Sequence, residues 1–442
     1  MSPKRVIHVP YTFSPDPLGG TEVYVKALAR ELCPLGWTST IVAPGDRDFE
    51  FSSDGQTIAR VHHIAPKDAA YGAPDERLAE HFDRLLERIA PDIVHLHAWS
   101  SAVSERLLTF ARRRGIRTVV TYHTPTMSCP RGTMLLFGQT PCDGRLDVTR
   151  CTICTLRSHN VPAGFAWLLG HTPITLGSMA ARASLRRGPW LALRMRGLVA
   201  ARITRFNRFI LAADHVVAVC SWVANVIRIN GIDPNCVTLS RQGLAHRQAK
   251  PTARDRQRDE GSLRIGYFGR LDSTKGIDTL IEAVRSVAAQ VDLIVYGVNQ
   301  SGSAKWVQHL ISAAGSDPRI QFATALEPEQ VHDAMSTMDI IAIPSIGLET
   351  GPLVVLEAFS AGRPVLASDR GGIAELVRNG IDGVLVAAGD VAAWGEAIER
   401  LARDRRAVVA MARNIRPVRT MREVASEMNE LYRSLLGEKA LA

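Results

Sequence analysis

The sequence predicts an α/β protein of two successive doubly wound domains, each with a parallel sheet covered by helices on both faces. Three observations predict it: two series of short apolar runs, a helical pattern after each run, and a polar stretch between the series. The first series is "RVIHVP", "STIVAP", "DIVHLH", "TVVTYH", "HVVAVC" and "VTLS". The second is "RIGYFG", "LIVYG", "IQFAT", "IIAIPS", "PVLASD" and "GVLVAA". Such continuous apolar runs are typical of strands buried on both faces.

The polar stretch "HRQAKPTARDRQRDEGS", at 246–262, contains few apolar residues and is typical of a linker. We therefore expect a first domain over 1–245 and a second over 263–420. No strand follows the last helical stretch, 421–442, so we expect this helix to pack back on the first domain. In sheets of this kind ligands bind beyond the carboxyl ends of the strands, and two such domains can face each other across a cleft.

Composition argues for an ordinary globular protein, and against a secreted disulfide-rich protein or one that spans a membrane. The 442 residues are 46% hydrophobic and 22% charged, as in ordinary soluble globular proteins. The net charge of +9 favours anionic partners such as nucleotides, phosphates, nucleic acid or an acidic membrane surface. No signal peptide is visible, and seven cysteines argue against a secreted disulfide framework, so we expect a reducing, cytoplasmic location. The uncharged stretch 161–181 contains two prolines and three glycines, which predicts an interfacial or buried hairpin instead of a spanning helix.

A basic loop follows the first strand of the second domain. Its sequence, "YFGRLDSTKG", places Arg270 and Lys275 between Gly269 and Gly276, whose lack of a side chain permits close backbone approach. Two cations suit a diphosphate, because charge-assisted hydrogen bonds are the stronger ones. A solvated basic turn is the alternative interpretation. The loop is not a P-loop, which requires a different glycine and lysine spacing.

A short apolar helix is predicted at 352–361, after the strand "IIAIPS". Pro352 suits its first position and Gly362 suits the residue just past its end. The free N–H groups at its N-terminus, from Gly351 to Leu353, suit an anion.

Two glutamates in "ETGPLVVLE" bracket this helix N-terminus. Glu357 has apolar neighbours in the sequence and needs a partner, because an unpaired buried charge is costly. Ribose hydroxyls are one candidate partner, and Arg363 or Arg370 is the other. Glu349 precedes the helix and can reach a sugar attached beyond the phosphates.

The first domain offers weaker candidates. Gly19 and Gly20 open the helix "TEVYVKALARELC", where they suit either a phosphate or a plain helix start. His123 ends the strand "TVVTYH", where a ligand-facing residue is expected. His95 and His97 end a neighbouring strand and are less favoured.

Four cysteines cluster in an insert at about 124–160. The pattern C-x12-C-x8-C-x2-C suits a closed, structural zinc site, with reduced thiols or transient disulfides as the alternative. Four thiolates leave no open coordination position, so we expect no catalytic role. The cysteines are Cys129, Cys142, Cys151 and Cys154.

A basic segment follows at 182–208, with eight arginines and no acidic residue. Apolar and aromatic residues between the arginines suit an anionic membrane surface. Nucleic acid or a solvated helix face is the alternative. We expect peripheral contact with the inner face of the cell membrane.

The order of three motifs, "GRLDSTKG", "ETGPLVVLE" and "SDRGGIAELV", resembles retaining nucleotide-sugar glycosyltransferases of glycosyltransferase family 4. "PLGGTEVYVKALARELCPLG", at 17–36, is similar to that family's first loop and helix. The resemblance implies the GT-B fold, in which two Rossmann-like domains face a cleft. It also implies contacts to the donor diphosphate from Arg270 and Lys275, to the ribose from Glu357, and to the sugar from Glu349 and His123.

The implied activity is metal-independent hexosyl transfer from a nucleotide-sugar, UDP- or GDP-linked, to a lipid-linked or cell-surface glycan precursor of polysaccharide biosynthesis. Arg270, Lys275 and the helix N-terminus would stabilise the charge on the leaving diphosphate, with no catalytic cofactor. A GT-B-fold epimerase or phosphorylase is the alternative enzyme. A zinc-containing nucleic-acid-binding protein is the alternative from another class, but it gives the second domain's motifs no role, so we expect no nucleic acid partner.

Overall fold

The computed structural model describes residues 3–16, 19–175, 189–245, 261–298 and 304–438. The chain divides into two compact units. The first unit combines Met1–Ala245 with Met421–Ala442, and the second is His246–Thr420. Most of the predicted linker, 246–260, lies outside the described residues.

The first unit contains a sheet of eight strands, in the order β10-β9-β6-β5-β1-β2-β4-β3. All neighbouring strands are parallel except β3, which is antiparallel to β4. Two further short strands, β7 and β8, pair with each other in the cysteine-bearing insert. The ten strands are β1 (Lys4–Val9), β2 (Trp37–Gly45), β3 (Phe49–Ser53), β4 (Gln56–His62), β5 (Ile93–Leu96), β6 (Arg117–Tyr122), β7 (Leu135–Leu136), β8 (Thr140–Pro141), β9 (His215–Ala218) and β10 (Val237–Leu239).

Helices cover both faces of this sheet. The helices of the first unit up to residue 245 are α1 (Gly20–Leu32), α2 (Glu76–Ile89), α3 (Glu105–Arg113), α4 (Val148–Ser158), α5 (Ala163–His171), α6 (Pro189–Ala212) and α7 (Ser221–Ile229), of which α4 and α5 belong to the insert and pack with α6. Successive strand residues point to opposite faces. In β1, Ile7 joins the core formed with α2, α3 and α6, whereas Val6 joins the core formed with α1. Burial on both faces explains why the strand sequences are continuously apolar.

The second unit contains six parallel strands in the order β13-β12-β11-β14-β15-β16. The strands are β11 (Leu263–Arg270), β12 (Val291–Val298), β13 (Ile320–Ala323), β14 (Ile340–Ile343), β15 (Val365–Ser368) and β16 (Gly383–Val386). The helices are α8 (Ile277–Ser286), α9 (Ala304–Ala314), α10 (Pro328–Ser336), α11 (Leu353–Ser360), α12 (Gly371–Leu376), α13 (Val391–Arg403) and α14 (Arg405–Arg413). The strand order reverses between β11 and β14, and such switch points are where doubly wound sheets bind ligands. Both units are therefore Rossmann-like α/β domains, as the sequence predicts.

The last helix, α15 (Met421–Leu435), belongs to the first unit. Its buried face, with Val424 and Met428, packs in the same core as α1. Two polar contacts fix it further: Trp37 Nε1 donates to Asn429 Oδ1 at 2.9 Å, and the Tyr432 hydroxyl lies 2.5 Å from His95 Nδ1. The helix thereby completes one face of the first sheet.

None of the helices in the described ranges is both long and apolar enough to cross a membrane. The part of the uncharged stretch that the structure describes contains α5, which is anchored by the buried Ala166 and Gly170. Its Phe165, Trp167 and Leu168 are each more than half exposed.

Candidate active site

Two loops of the second unit meet at the carboxyl edge of its sheet. One follows β11 and the other follows β14, and these strands are parallel neighbours. The backbone N–H groups of Ile346 and Gly347 both donate to the Thr274 carbonyl, at 2.8 and 3.2 Å. The two sequence motifs that supply the candidate residues are therefore joined directly, as expected of loops at a switch point.

Gly276 makes this close approach possible. Its φ of 65° lies in the left-handed region, and a Cβ placed there would lie 2.1 Å from the Pro344 carbonyl oxygen. Only glycine meets both requirements, because it has no Cβ and tolerates positive φ. The glycine of "STKG" thus sets the spacing of the two loops.

Lys275 and Glu349 form an ion pair across these loops. Lys275 Nζ lies 2.6 Å from Glu349 Oε1, and the Ser345 hydroxyl donates to the same oxygen at 2.9 Å. Both charged side chains are about one quarter exposed, at 23% and 24%. The sequence assigns them to different parts of a ligand, whereas the structure pairs them with each other. An incoming anion would compete with Glu349 for the lysine.

Arg270 lies at the end of β11 with a half-exposed side chain. Its Nη2 is 3.4 Å from Asp272 Oδ2, which is a loose ion pair. The Tyr267 hydroxyl donates to the Arg270 carbonyl at 2.6 Å and holds the backbone at this point. Burial raises the pKa of Tyr267, so its hydroxyl stays protonated and able to donate.

Glu357 lies in the second turn of α11, which begins one residue later than predicted, with Pro352 as its N-cap. Val355 and Ala358 of this helix pack in the core with β14. The Glu357 side chain is partly buried, and burial raises the pKa of its carboxyl group.

The carboxylate of Glu357 has no hydrogen-bond or ion-pair partner among the residues that the structure describes. The two arginines considered as its partners bond elsewhere. Arg363 donates to the Ser336 carbonyl, and Arg370 donates to the Ile346 carbonyl at 2.6 Å. In the described part of the chain, the structure shows no bond from either arginine to Glu357, and the role of Glu357 as an acceptor for ligand hydroxyls stays a prediction.

The third motif, "SDRGG", packs closely against the Glu349 loop and hydrogen-bonds to it. The Gly372 N–H donates to the Glu349 carbonyl at 2.6 Å. A Cβ on Gly372 would lie 2.6 Å from the Thr350 carbonyl oxygen, and one on Gly371 would lie 2.9 Å from that of Glu349. The paired glycines are thus required for close packing. Ser345 and these two glycines are site residues that sequence reasoning missed, although the doubled glycine was a signal.

Gly19 and Gly20 begin α1 in the first unit. Gly19 is the N-cap, and its N–H donates to Glu22 Oε2 at 3.0 Å, so the buried Glu22 side chain caps the helix. Burial raises the pKa of Glu22. This arrangement fits the helix-start interpretation of the two glycines. The phosphate role stays a prediction.

His123 lies directly after β6 and is almost fully buried, with 3% of its surface exposed. Its Nε2 is 3.1 Å from His97 Nδ1, and His97 Nε2 is 3.1 Å from His8 Nδ1. Burial lowers the pKa of His8 and of His123 to about 3, and that of His97 well below its ordinary value. These histidines are therefore neutral at physiological pH. A neutral His123 suits a hydrogen bond to a ligand better than general-base catalysis.

The zinc site predicted for the four insert cysteines stays a prediction. Among the described residues, no three of their sulfur atoms lie within 4.8 Å of one another. Cys154 Sγ instead accepts the Phe137 N–H at 3.2 Å, and burial raises the pKa of the Cys151 thiol to about 11. The insert also has its own apolar cluster, around Leu156 and Met195, which packs it against α6. Cys129, Cys142, Cys151 and Cys154 form no disulfide in the structure, and their role as zinc ligands stays a prediction.

The structure describes only part of the basic segment, and in that part three arginines are bound within the protein. Residues 182–188 lie outside the described residues, but α6 carries the remaining arginines. Arg194 is 3% exposed and pairs with Asp68 at 3.1 Å, and Arg202 lies over the Trp99 ring at 4.6 Å. Arg205 donates to the Tyr71 carbonyl at 3.0 Å. These three arginines hold the loop around 68–72 and do not form an outward-facing membrane surface.

Two family models match the chain. Residues 18–144 match the model described as Glycosyltransferase Family 4, and residues 250–417 match the one described as Glycosyl transferases group 1. Together with the fold, these matches support the class of GT-B glycosyltransferases for this chain.

Curated relatives include D-inositol 3-phosphate glycosyltransferases. The protein of that name from Rhodococcus erythropolis is 29% identical over 216 residues, which are 46% of this chain and 49% of the relative. The one from Corynebacterium urealyticum is 32% identical over 183 residues, which are 39% of this chain and 43% of the relative. The chain thus spans about half the length of the curated relatives that it matches.

Solved structures with the same fold cover almost the whole chain. A sucrose-phosphate synthase from Thermosynechococcus elongatus has a TM-score of 0.67 at 18% identity, covering 98% of this chain and 99% of the other. Anabaena HepE in complex with UDP-glucose has a TM-score of 0.58 at 16% identity, with the same coverage. At these identities the likeness establishes the fold and no more.

Proposed function

We propose that this protein is a retaining glycosyltransferase that transfers a hexose from a UDP- or GDP-sugar to an acceptor hydroxyl group. The observation that carries the proposal is a group of charged side chains at the carboxyl ends of β11 and β14, the switch point of the second sheet. There an ion pair, a second cation and a carboxylate lie on two joined loops and the helix that follows them. Such sites in doubly wound sheets bind nucleotides.

The roles of the residues follow from their charges and positions. Arg270, Lys275 and the N-terminus of α11 bind the diphosphate, because all three present positive charge or free N–H groups. When Lys275 binds the phosphates, it gives up its contact with Glu349, and this carboxylate accepts hydroxyl groups of the donor sugar. The same cations stabilise the charge that develops on the leaving diphosphate, which is electrostatic catalysis without a metal ion.

Glu357 binds the ribose in this proposal. Its carboxylate lacks a partner within the described part of the chain, and ribose hydroxyls are donors that satisfy it. UDP should therefore bind the parent protein more tightly than 2′-deoxy-UDP. Glu357→Ala should abolish this discrimination, which titration calorimetry measures. Equal discrimination in both proteins would remove Glu357 from the ribose site.

A panel of UDP-, GDP- and ADP-sugars identifies the donor. A ligand at about 100 times its dissociation constant should stabilise the protein by roughly 2.7 kcal/mol, which thermal unfolding detects. The stabilising donor is then incubated with acceptors, and the anomeric configuration of the product is read by NMR. Epimerised free sugar would indicate an epimerase, and a sugar phosphate formed with inorganic phosphate would indicate a phosphorylase.

The acceptor that we propose is a lipid-linked glycan precursor, bound at the cytoplasmic face of the membrane. Support comes from the exposed Phe165, Trp167 and Leu168 on α5, which lie in a stretch without charges. No Asp or Glu occurs between positions 148 and 213, so carboxylates of that stretch do not repel an anionic surface. Exposed aromatic and aliphatic side chains next to basic residues suit shallow insertion between lipid headgroups.

Vesicle flotation tests this placement. The parent should float with vesicles that contain phosphatidylglycerol and much less with pure phosphatidylcholine. Replacing Phe165, Trp167 and Leu168 with Ser should release it, whereas Leu211→Ser, at a residue 63% exposed on α6, should not. If the triple variant floats as well as the parent, α5 is not the contact. A water-soluble acceptor such as an inositol phosphate, suggested by the names of the relatives, would then be favoured.

A further inference from the structure

The Glu349 carboxylate receives hydrogen bonds on one oxygen atom from two donors of different kinds. Lys275 Nζ lies 2.6 Å from Oε1, and the Ser345 hydroxyl lies 2.9 Å from the same atom. Lysine carries its ammonium group on a flexible four-carbon stem, and here its side chain is 23% exposed. Ser345 is short and only 2% exposed. The lysine is therefore able to turn towards an incoming ligand, whereas the serine is enclosed by protein.

The direction of the serine bond follows from the charge of its partner. A carboxylate that is paired with an ammonium group is ionised, and an ionised carboxylate only accepts hydrogen bonds. The Ser345 hydroxyl is therefore the donor. A buried hydroxyl that loses its acceptor costs the full free energy of its desolvation. Ser345 thus keeps its bond to Glu349 when the lysine moves.

The backbone of this loop is fixed by other bonds. The Ile346 N–H donates to the Thr274 carbonyl at 2.8 Å, and the Ile346 carbonyl accepts from Arg370 Nη1 at 2.6 Å. The Glu349 carbonyl accepts an N–H from the start of α12, also at 2.6 Å. All of these bonds hold main-chain atoms of the loop. The Ser345 hydroxyl acts instead on the side chain of Glu349.

We propose that Ser345 is a positioning residue, which keeps the Glu349 carboxylate in one orientation when Lys275 leaves it for the donor diphosphate. This rests on the proposed function, which supplies the ligand. In the ligand-free site the lysine and the serine both bind Oε1. In the donor complex the serine stays bound after the lysine has moved. The carboxylate then does not rotate away from the sugar hydroxyl groups that it accepts, and Ser345 acts on the reaction only through Glu349.

The orientation of this carboxylate affects the rate of transfer more than the binding of nucleotide. Without Ser345 the released Glu349 side chain gains rotamers, and reaching the transition state requires ordering it again. A group that is already ordered stabilises the transition state without that cost. UDP carries no transferred sugar, so its affinity does not depend on this order. Loss of the serine hydroxyl should therefore lower kcat and leave UDP binding nearly unchanged.

A purely structural role of Ser345 in the loop is the alternative. Removing the hydroxyl would then loosen the loop as a whole, so that stability, UDP affinity and turnover would fall together. The losses would also be the same with and without the Glu349 carboxylate. A positioning role requires that carboxylate, and a double-mutant cycle separates the two explanations.

The test uses the full-length protein. Ser345→Ala and Glu349→Ala are made singly and together, Ser345→Thr keeps the hydroxyl group, and Ser345→Cys replaces it with a weaker donor. Ser286→Ala is the matched control, because it removes a serine hydroxyl that donates at 2.8 Å to the Ala283 carbonyl, at the far end of α8. Thermal unfolding checks that each variant folds. Titration calorimetry measures the affinity for UDP and GDP, and initial rates with the stabilising donor give kcat and KM.

Ser345→Ala should lower kcat roughly tenfold, the value of about one hydrogen bond, with nucleotide affinity nearly unchanged. Ser345→Cys should lie between this variant and the parent, and Ser345→Thr should restore most of the turnover. In protein that already carries Glu349→Ala, the change Ser345→Ala should cause no further loss. Ser286→Ala should match the parent. If Glu349→Ala transfers too slowly for the cycle, the split between kcat and nucleotide affinity decides.

Three results would overturn this inference while transfer by the parent upheld the proposed function. They are turnover of Ser345→Ala equal to that of the parent, a loss of nucleotide affinity as large as the loss of turnover, and equal losses with and without the Glu349 carboxylate. A parent that binds neither nucleotide and transfers no sugar would overturn the proposed function, and this inference with it.

Discussion

The loops after β11 and β14 and the histidine chain of the first unit, formed by His8, His97 and His123, differ in the exposure and in the charge of their polar side chains. The loops are partly exposed, and their charges, Lys275 and Glu349, are paired in a way that a ligand can rearrange. The histidines are buried and neutral, and each of their bonds is made to another fixed side chain. A site that must exchange partners needs solvent access and charge, whereas a site that must keep one orientation needs burial and hydrogen bonds to fixed neighbours.

Acidification is the strongest way to break the histidine cluster. Burial lowers the pKa of His8 and His123 to about 3, and of His95 and His97 well below the usual value, with the Tyr24 and Tyr432 rings packed beside them. The unfolded chain therefore binds more protons than the folded one from about pH 6.5 downwards, so stability is full above that pH and falls as pH falls towards 3. Each histidine contributes a slope of up to about 1.4 kcal/mol per pH unit, and the four together roughly 5.

Urea denaturation from pH 7.5 to 5.5 measures this slope for the first unit. His8→Asn should lower it by one histidine's share, which averages about 0.7 kcal/mol per pH unit over this range because the unfolded histidine is half protonated at about pH 6.5. Replacing the exposed His62 with Gln should leave it unchanged. A parent stability that is flat across this range would show that the cluster already binds protons in the folded state.

Gly276→Ala should separate the two loops of the second unit. The added Cβ combines positive φ with a 2.1 Å clash against the Pro344 carbonyl oxygen, so the second unit should lose roughly 3 kcal/mol of stability and its nucleotide binding. Gly389→Ala is the matched control, since Gly389 has a φ of 77° but open space around its Cβ. It should cost only about 1 kcal/mol, the price of positive φ alone. Equal losses in both variants would mean that strain, and not loop contact, explains Gly276.

The exchangeable ion pair predicts opposite effects for its two members. Lys275→Ala should weaken UDP binding by roughly 2 kcal/mol, the value of a hydrogen bond to a charged group. Glu349→Gln should strengthen UDP binding by up to about 1 kcal/mol, because it removes the competitor for Lys275, while it lowers turnover. Titration calorimetry with UDP, together with a transfer assay, measures both. Weaker UDP binding in Glu349→Gln would indicate that Glu349 holds Lys275 in place for the ligand.

The division of the chain into two domains could be predicted from the sequence because it depends on local patterns. Continuous apolar runs predict strands buried on both faces, and the structure has a strand in each of the twelve runs. The chain divides in the structure at 245 and 420, next to the polar stretch and before the last helix. The candidate residues of the second unit could also be proposed from sequence, because each motif lies in a loop that directly follows a strand or in the helix after that loop.

The contacts of the histidine chain, the cysteines and the arginines could not be predicted from such local patterns. His8, His97 and His123 lie in separate strands, and only the pairing of β1, β5 and β6 brings them together. The C-x-x-C spacing places Cys151 and Cys154 on one helix, but the hairpin packed against α4 takes the Cys154 sulfur as a hydrogen-bond partner. The missing acidic residues between 148 and 213 suggested a basic surface, yet Arg194 pairs with Asp68, which is distant in sequence.

The sequence by itself therefore determined the two doubly wound domains and the loops that carry the candidate nucleotide site, because strand burial and loop position are encoded within a few neighbouring residues. The tertiary structure alone decided which side chains meet: Lys275 with Glu349 across two loops, and His8, His97 and His123 from three strands. These contacts depend on strand order and on the rotation of each helix about its axis. Both are set by packing between residues far apart in the chain, which no local pattern records.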